Sequence, residues 1–317
     1  MNIRDIAKKS GVSIATVSRV INNSPKVSGE TRETVLHAIM EADYVPNSRG
    51  DGVGRNAMRL VGVLVADISN LYYAKAVSLL EKGFRANGFD VLLMCTGREL
   101  KNKKAALDSL LQKRVDAVFL VGSAYREERS NTHIRDMASH MPVFLINAYI
   151  DIPGVYCIYC DEREAMANTV KYLYEKGKRS ILYIHDTDKW RFAGVHKLQG
   201  YKDGLAACGL ALDPDLILLS PSDMDGAQEC VAGHRADFDA VIASEDILAV
   251  GAAKAARGVP VIGFNNSVLA ACCTPELTSV DNMLGIICPM AVDMLAKHFG
   301  GERIPAKVAI SACICER

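Results

Sequence analysis

No stretch of this chain holds the ~18 successive apolar residues that a membrane-spanning helix needs. The opening Met-Asn-Ile-Arg-Asp has no apolar run behind its charge. Neither a membrane span nor a secretory signal is expected, so a cytoplasmic protein is. Net charge is missing too, since 37 basic side chains balance 37 acidic ones over 317 residues. Charge therefore has to be read by domain. Catalytic signatures are also absent. No Gly-x-Gly-x-x-Gly follows the first strand-like run, and there is no Gly-Lys-Ser/Thr phosphate loop. No Gly-x-Ser-x-Gly elbow occurs either. The seven histidines never form His-x-x-x-His, so neither a metal site nor a cofactor is expected.

Cysteine is not scarce. There are ten, but they are scattered and nothing places them in an oxidising compartment, so no disulfide framework is expected. Cys157-x-x-Cys160 has metal-like spacing without a second pair. It sits in a strand-like run, Val-Tyr-Cys-Ile-Tyr-Cys, where residues three apart face opposite sides. Buried packing thiols are the expectation there, and likewise for Cys272-Cys273 and Cys313-x-Cys315.

What is present begins at residues 11 to 22. Ser13 is a good cap for a helix starting at Ile14. Val17, Val20 and Ile21 form its apolar face, while Ala15, Thr16, Ser18, Arg19 and Asn22 leave the other face small, polar and singly cationic. Residues 3 to 9 predict a preceding helix with Ile3, Ile6 and Ala7 inward, and Gly11 supplies the turn. Ser28 caps a third helix with Val35, Leu36, Ile39 and Met40 inward, ending before Pro46. This is helix-turn-helix geometry, and an αα-hairpin for protein contact stays open on these residues alone. Residues 1 to 60 carry nine cations against six anions, a balance of +3, which is only a weak basic lean. Residues 47 to 59 read as a linker, with Gly50, Gly52 and Gly54 among polar residues.

From Leu60 the pattern changes to strands alternating with helices in two series. That spacing means parallel sheets with helices on both faces. The expected fold is a small all-α headpiece followed by an α/β core of two doubly wound lobes. Ligands of such lobes sit at the carboxyl ends of the strands, here in the cleft between them.

The run Ile3-Arg-Asp-Ile-Ala-Lys-Lys-Ser-Gly-Val-Ser-Ile-Ala-Thr-Val-Ser-Arg-Val-Ile-Asn closely resembles the headpiece of the lactose/galactose repressor family. So do Lys26-Val-Ser-Gly-Glu-Thr-Arg and Tyr44-Val-Pro-Asn. The likeness continues through Val61-Gly-Val-Leu-Val-Ala-Asp-Ile-Ser-Asn-Leu-Tyr-Tyr, through Asp246, Ala249 and Gly251, and through Gly263-Phe-Asn-Asn. The core motifs are looser and are shared with periplasmic sugar-binding proteins. The resemblance implies a periplasmic-binding-protein-like core and a homodimer on a pseudo-palindromic DNA operator, with a small-molecule, sugar-like effector. The implied division is a headpiece at 1–46, a hinge at 47–59 and a core at 60–317. Within that core one lobe takes 60–158 and 281–304, the other 159–280 and 305–317. Carried over by position, Ser13, Ile14, Ala15, Thr16, Ser18, Arg19, Asn22, Ser28, Thr31, Asn47 and Val53 serve DNA binding. Arg19 is the candidate for a bidentate base contact, and Thr16, Ser18, Asn22, Ser28, Thr31 and Asn47 for phosphates. The effector candidates are Tyr72, Tyr73, Asn147, Arg191, Lys197, Glu245, Asp246 and Asn265.

Three departures stand out. Lys197 replaces the family's usual arginine, keeping charge but losing the fork. Asn265 stands where aspartate is frequent, adding a donor and removing charge. In the linker Gly50, Asp51 and Val53 replace alanine, arginine and leucine, and glycine costs a helix about 1 kcal/mol relative to alanine. A weakly ordering hinge, with reduced affinity or coupling, is the expectation. The reading is a transcription regulator acting as a repressor, not an enzyme. A solute-binding protein with the same core is the alternative. A sugar-processing enzyme is a third reading, which the adjacent acids Glu245 and Asp246 support poorly because they are not placed to flank a bond.

Overall fold

The computed structural model describes residues 3–21, 24–42, 59–186 and 192–317. The chain divides into two compact units, Met1–Met58 and Arg59–Arg317. Asn22, Tyr44, Asn47, Gly50, Asp51, Val53 and Arg191 lie outside the described residues, and the expectations placed on them stay there.

In the first unit α1 spans Ile3–Ser10, α2 Ile14–Ile21 and α3 Gly29–Glu41. Gly11 takes φ +69° between α1 and α2, a conformation that costs glycine little. Ser13 Oγ accepts from Thr16 N at 3.1 Å, and Ser28 Oγ from Thr31 N at 3.3 Å. Both caps occupy backbone donors that a helix start leaves without partners. Ile6, Ala7, Val17, Val20, Val35 and Ala38 form the buried core, with Val12, Val27, Ile39 and Ala42 against it. One expected face is wrong. Leu36 is 44 % exposed and Met40 73 %, because α3 turns the stripe Val35, Ala38, Ile39 and Ala42 inward. That stripe has regular helical spacing, and its alanines let helices approach closely where leucine and methionine would hold them apart.

In the second unit β1 (Leu60–Val65), α4 (Leu71–Ala86), β2 (Asp90–Cys95), α5 (Leu100–Gln112), β3 (Ala117–Val121), α6 (Thr132–Ala138), β4 (Val143–Ile146) and β5 (Val155–Cys160) build the first lobe. The second lobe holds α7 (Glu162–Glu175), β6 (Ile181–Asp186), α8 (Phe192–Ala207), β7 (Ile217–Ser220), α9 (Met224–Ala232), β8 (Ala240–Ala243), α10 (Asp246–Ala255), β9 (Val261–Phe264), α11 (Val268–Cys272) and β10 (Thr278–Asp281). The chain then returns as α12 (Leu284–Phe299), β11 (Lys307–Ile310) and β12 (Cys313–Cys315). Among the described residues there are two six-stranded sheets, ordered β11-β5-β4-β3-β1-β2 and β12-β10-β9-β8-β6-β7. Neighbours run parallel except β12, which is antiparallel to β10.

The expected assignment of 305–317 to the second lobe needs correcting. β11 pairs with β5 in the first sheet, Lys307 opposite Cys157, and only β12 joins the second. Asp281, expected in the first lobe, ends β10 in the second sheet. The same holds in reverse for Tyr159 and Cys160, which end β5 in the first sheet. The apolar side of α12, including Ile287, Cys288, Ala291 and Leu295, packs on the core of the first lobe with Phe84 and Phe119.

Cys157 and Cys160 lie in separate core clusters on the two sides of the first sheet, as period-two strand geometry requires. Burial pushes both thiols up from their ordinary range. The other two pairs differ from expectation. Cys272 and Cys313 are exposed and Cys273 and Cys315 only half-buried, because α11 and β12 lie at the edge of their lobe.

Gly251 marks a close helix crossing. A Cβ there would run into the Met224 carbonyl oxygen and stand 2.8 Å from Ala227 Cβ. Gly251→Ala is expected to destabilise the second unit by about 1–3 kcal/mol through overpacking. Urea unfolding measures this, and an unchanged midpoint would mean that α9 moves aside freely.

Candidate functional site

Two surfaces emerge, one in each unit. On the first, α2 buries Val17 and Val20 and turns Ile14 (45 % exposed), Ala15 and Arg19 to the outside. Ser13 Oγ lies 2.9 Å from Thr16 Oγ1, and Ser28 Oγ donates to Thr31 Oγ1 at 2.8 Å. Ser18 is half-buried. The hydroxyls of Ser13, Thr16, Ser28 and Thr31 sit at the amino ends of α2 and α3, where the helix dipoles favour an anion. The surface is thus an exposed apolar pair and one guanidinium, flanked by capped helix starts.

The second surface is the cleft between the lobes. Its residues follow the carboxyl ends of strands, and two of them take the left-handed backbone that turns the chain there, Asn147 at φ +55° and Asn265 at φ +95°. A narrow cavity of about 40 Å³ is lined by Asn70, Tyr72, Tyr73, Gly122, Ser123, Asn147, Glu162, Lys197, Glu245 and Asn265. One water needs about 10–15 Å³ measured in this way, so this cavity holds a few waters. A neighbouring hollow of about 270 Å³ shares Asn70, Tyr72, Glu245 and Asn265 and adds Arg98 and Ser222.

Lys197 is the centre of the cleft. It is 5 % exposed, and its Nζ donates to Ser244 O at 2.9 Å. The same ammonium stands 3.6 Å from Glu162 Oε1 and 3.9 Å from the Phe264 ring centroid. Asn147 links the strand ends by donating to Glu162 Oε1 at 3.2 Å and accepting from Cys160 N at 2.9 Å. Asn282 donates to Asn265 Oδ1 at 3.0 Å. Tyr72 and Tyr73 meet edge to face at 5.2 Å. The Tyr72 hydroxyl is buried, and burial, with Tyr73 and Glu162 nearby, holds its phenol well above the ordinary range, the Asn147 side chain pulling the other way. Gly122, at φ +92°, lets Tyr73 close in, since a Cβ there would stand 2.7 Å from the ring.

Residues 2–47 match the bacterial regulatory proteins, lacI family, and residues 59–268 the periplasmic binding proteins and sugar binding domain of LacI family. The chain belongs to the LacI family. A transcriptional regulator of Lachnoclostridium phytofermentans is 40 % identical to this LacI-family chain, over 98 % of it and 97 % of the relative. The repressor CytR of Escherichia coli is 27 % identical over 98 % and 93 %. The Lac repressor dimer bound to operator and an anti-inducer superposes with TM-score 0.84 at 20 % identity, covering 100 % of this chain and 98 % of that one. The regulator CelR in complex with cellobiose gives TM-score 0.70 at 26 % identity, covering 100 % and 99 %. The chain is therefore a DNA-binding transcriptional regulator, and a plain solute-binding protein is not favoured.

Of the eight effector candidates, this LacI-family cleft brings Tyr72, Tyr73, Asn147, Lys197, Glu245 and Asn265 to one cavity. Arg191 lies outside the described residues. Asp246 turns away. It is 2 % exposed and accepts from Ser279 Oγ and Ser267 N, both at 2.6 Å. Gly263 makes room for that carboxylate, since a Cβ there would collide with it. Asp246 thus ties α10 to α11 and β10, and it borders the neighbouring hollow rather than the narrow cavity. Asn70, Gly122, Ser123 and Glu162 were not singled out from sequence, although each follows the carboxyl end of a strand.

Burial raises the Asp246 carboxyl above its ordinary range, with the two serines pulling the other way. A carboxyl raised on folding contributes stability that is full below its unfolded value and lost as pH rises through the folded one. Asp246→Ala leaves two buried donors without partners, for a cost of about 1–3 kcal/mol at neutral pH. Denaturant melts at stepped pH on the acid side of neutrality test both statements. The deficit of the variant should narrow as pH rises through that window, and a deficit that widens would refute the burial argument.

Proposed function

We propose that this regulator is a cytoplasmic repressor that binds a pseudo-palindromic operator as a homodimer and releases or grips it according to a neutral, polyhydroxylated effector in the cleft. The observation that carries the effector class is the balance of the cleft. Its one ammonium among the described lining residues is already engaged by Glu162, and Glu245 adds a second acid. Among the described residues that line the narrow cavity, no surplus of positive charge is left for a phosphorylated or carboxylated ligand, and the Arg98 guanidinium stands in the neighbouring hollow. What faces the cavity beyond that is amide, hydroxyl and phenol, groups that suit sugar hydroxyls, with the tyrosines as apolar walls. The CelR complex holds cellobiose on a core of this fold. Ligand and operator act on one lobe equilibrium, so each must shift the affinity of the other by the same factor.

Fluorescence anisotropy with a palindromic duplex, at stepped salt and with a panel of sugars, nucleosides and phosphosugars, tests this. Expected are sequence-selective binding with a steep salt slope and a shift in affinity with neutral sugars alone. A response confined to phosphosugars would overturn the effector class.

A further inference from the structure

We propose that Cys313, Cys315 and Met283 form a three-sulfur site for a soft monovalent metal ion, copper(I), at the hinge between the two core lobes. The chain passes between the lobes three times, after β5 at Cys160, after β10 at Asp281 and after β11 at Ile310. These crossings lie side by side. Asp161 N donates to Ile310 O at 3.2 Å, and Cys313 pairs opposite Asp281. Three of the chain's sulfur side chains gather there.

Cys313 and Cys315 are alternate residues of β12, so they share one face of the strand, while Ile314 between them packs into the core of the second lobe. The Cys315 thiol hydrogen-bonds with Cys313. The third donor comes from the next crossing, with Met283 Sδ 3.7 Å from Cys313 Sγ. Three sulfurs around one ion at metal–sulfur bonds of about 2.3 Å stand about 4 Å apart, the spacing that the Cys313–Met283 pair already has. Met283 holds a left-handed backbone, φ +61°, rare for a side chain of this kind, and its N–H is fixed by Asp281 Oδ1 at 2.6 Å. Asn266 Nδ2 donates to Cys315 Sγ at 3.3 Å, a bond that strengthens as the sulfur becomes a thiolate.

Two thiolates and a thioether select copper(I) over harder ions. Among the described residues no three His, Cys, Asp or Glu side chains converge as a zinc site would need. A Cys313–Cys315 disulfide is the lesser fit. Alternate strand residues stand about 6.6–6.8 Å apart, at the far limit of what a disulfide spans, and such a bond gives the thioether no part. Binding one copper(I) ion releases the two thiol protons and leaves a singly anionic complex beside the Arg317 guanidinium. The ion joins the second crossing to the third, and so stiffens the hinge.

The test is anaerobic titration of the reduced full-length chain with copper(I) ions against a colorimetric copper(I) chelator. One tight equivalent per chain is expected. It should be lost in C313S and in C315S, weakened about ten-fold in M283L, and kept in C272S/C273S and in C95S. Circular dichroism confirms that each variant is folded. Retention of that equivalent in the C313S/C315S double variant overturns the site, as does its loss in C272S/C273S. An M283L affinity equal to wild type overturns the three-sulfur set. Failure to bind copper(I) while air oxidation removes two hydrogens from the wild type, but not from C313S, would show a disulfide in its place.

Discussion

Lys197→Met is expected to lower the unfolding free energy of the core by about 3–5 kcal/mol, the usual consequence of removing one partner from a buried ion pair. Glu162 is 9 % exposed, and its described polar partners are Lys197 and Asn147. Methionine fills most of the lysine's volume, so the cavity contribution is small and the loss is mainly the stranded carboxylate and the Ser244 carbonyl left without its donor. Urea unfolding measures the loss, and a double-mutant cycle assigns it. Lys197→Met/Glu162→Gln should recover much of the deficit, because no unpaired charge is then left in the cleft. If the double variant is no more stable than Lys197→Met, the ion pair is not the source. Lys197→Arg is not a rescue. The slot is closed by the Phe264 ring at 3.9 Å, and a guanidinium demands partners in its plane that a single carbonyl and a single Oε1 do not supply. The arginine more usual at this position therefore implies a differently furnished cleft, and the lysine goes together with Glu162.

Glu162 also shows where sequence reading stops. Local signals were strong where one element decides its own structure. Ser13 and Ser28 cap the helices they were expected to cap, and the strands and helices of the second unit alternate in two series, as the pattern from Leu60 predicts. Each is settled by propensity and by hydrophobic pattern within a few residues. The misses are settled by partners far away in sequence. Lys307–Ile310 becomes a strand because β5 offers an open edge some 150 residues earlier, and its four residues carry little signal of their own. In α3 two apolar stripes compete, and only the fit against α1 and α2 decides that Ala38 goes inward and Met40 outward. Asp246 and Glu245 are adjacent carboxylates with equal claims on the cleft. Ser279, from a strand more than thirty residues on, claims the first. A residue's place at a strand's carboxyl end was readable, but which way its side chain turns was not.

Arg19→Ala is expected to weaken binding to a cognate operator by roughly 5- to 150-fold per recognition helix, the equivalent of about 1–3 kcal/mol for a bidentate guanidinium–guanine contact. The case rests on what else α2 presents. Val17 and Val20 are buried, and Ile14 and Ala15 can give only apolar contact, such as to thymine methyls. The serine and threonine hydroxyls of the capped ends suit phosphates, which fix register and carry no sequence. Arg19 is then the exposed side chain of this helix proposed to read a base edge by paired hydrogen bonds. The measurement that separates base reading from plain charge attraction is anisotropy on a set of single-base operator variants at stepped salt. With a base contact, the wild type loses affinity at one guanine of each half-site, and Arg19→Ala becomes indifferent to that position while other positions keep their penalties. If the guanidinium serves a phosphate, the variant weakens on every sequence alike and its salt slope falls by about one per site. That second outcome would move the specificity of this headpiece onto Ile14 and Ala15.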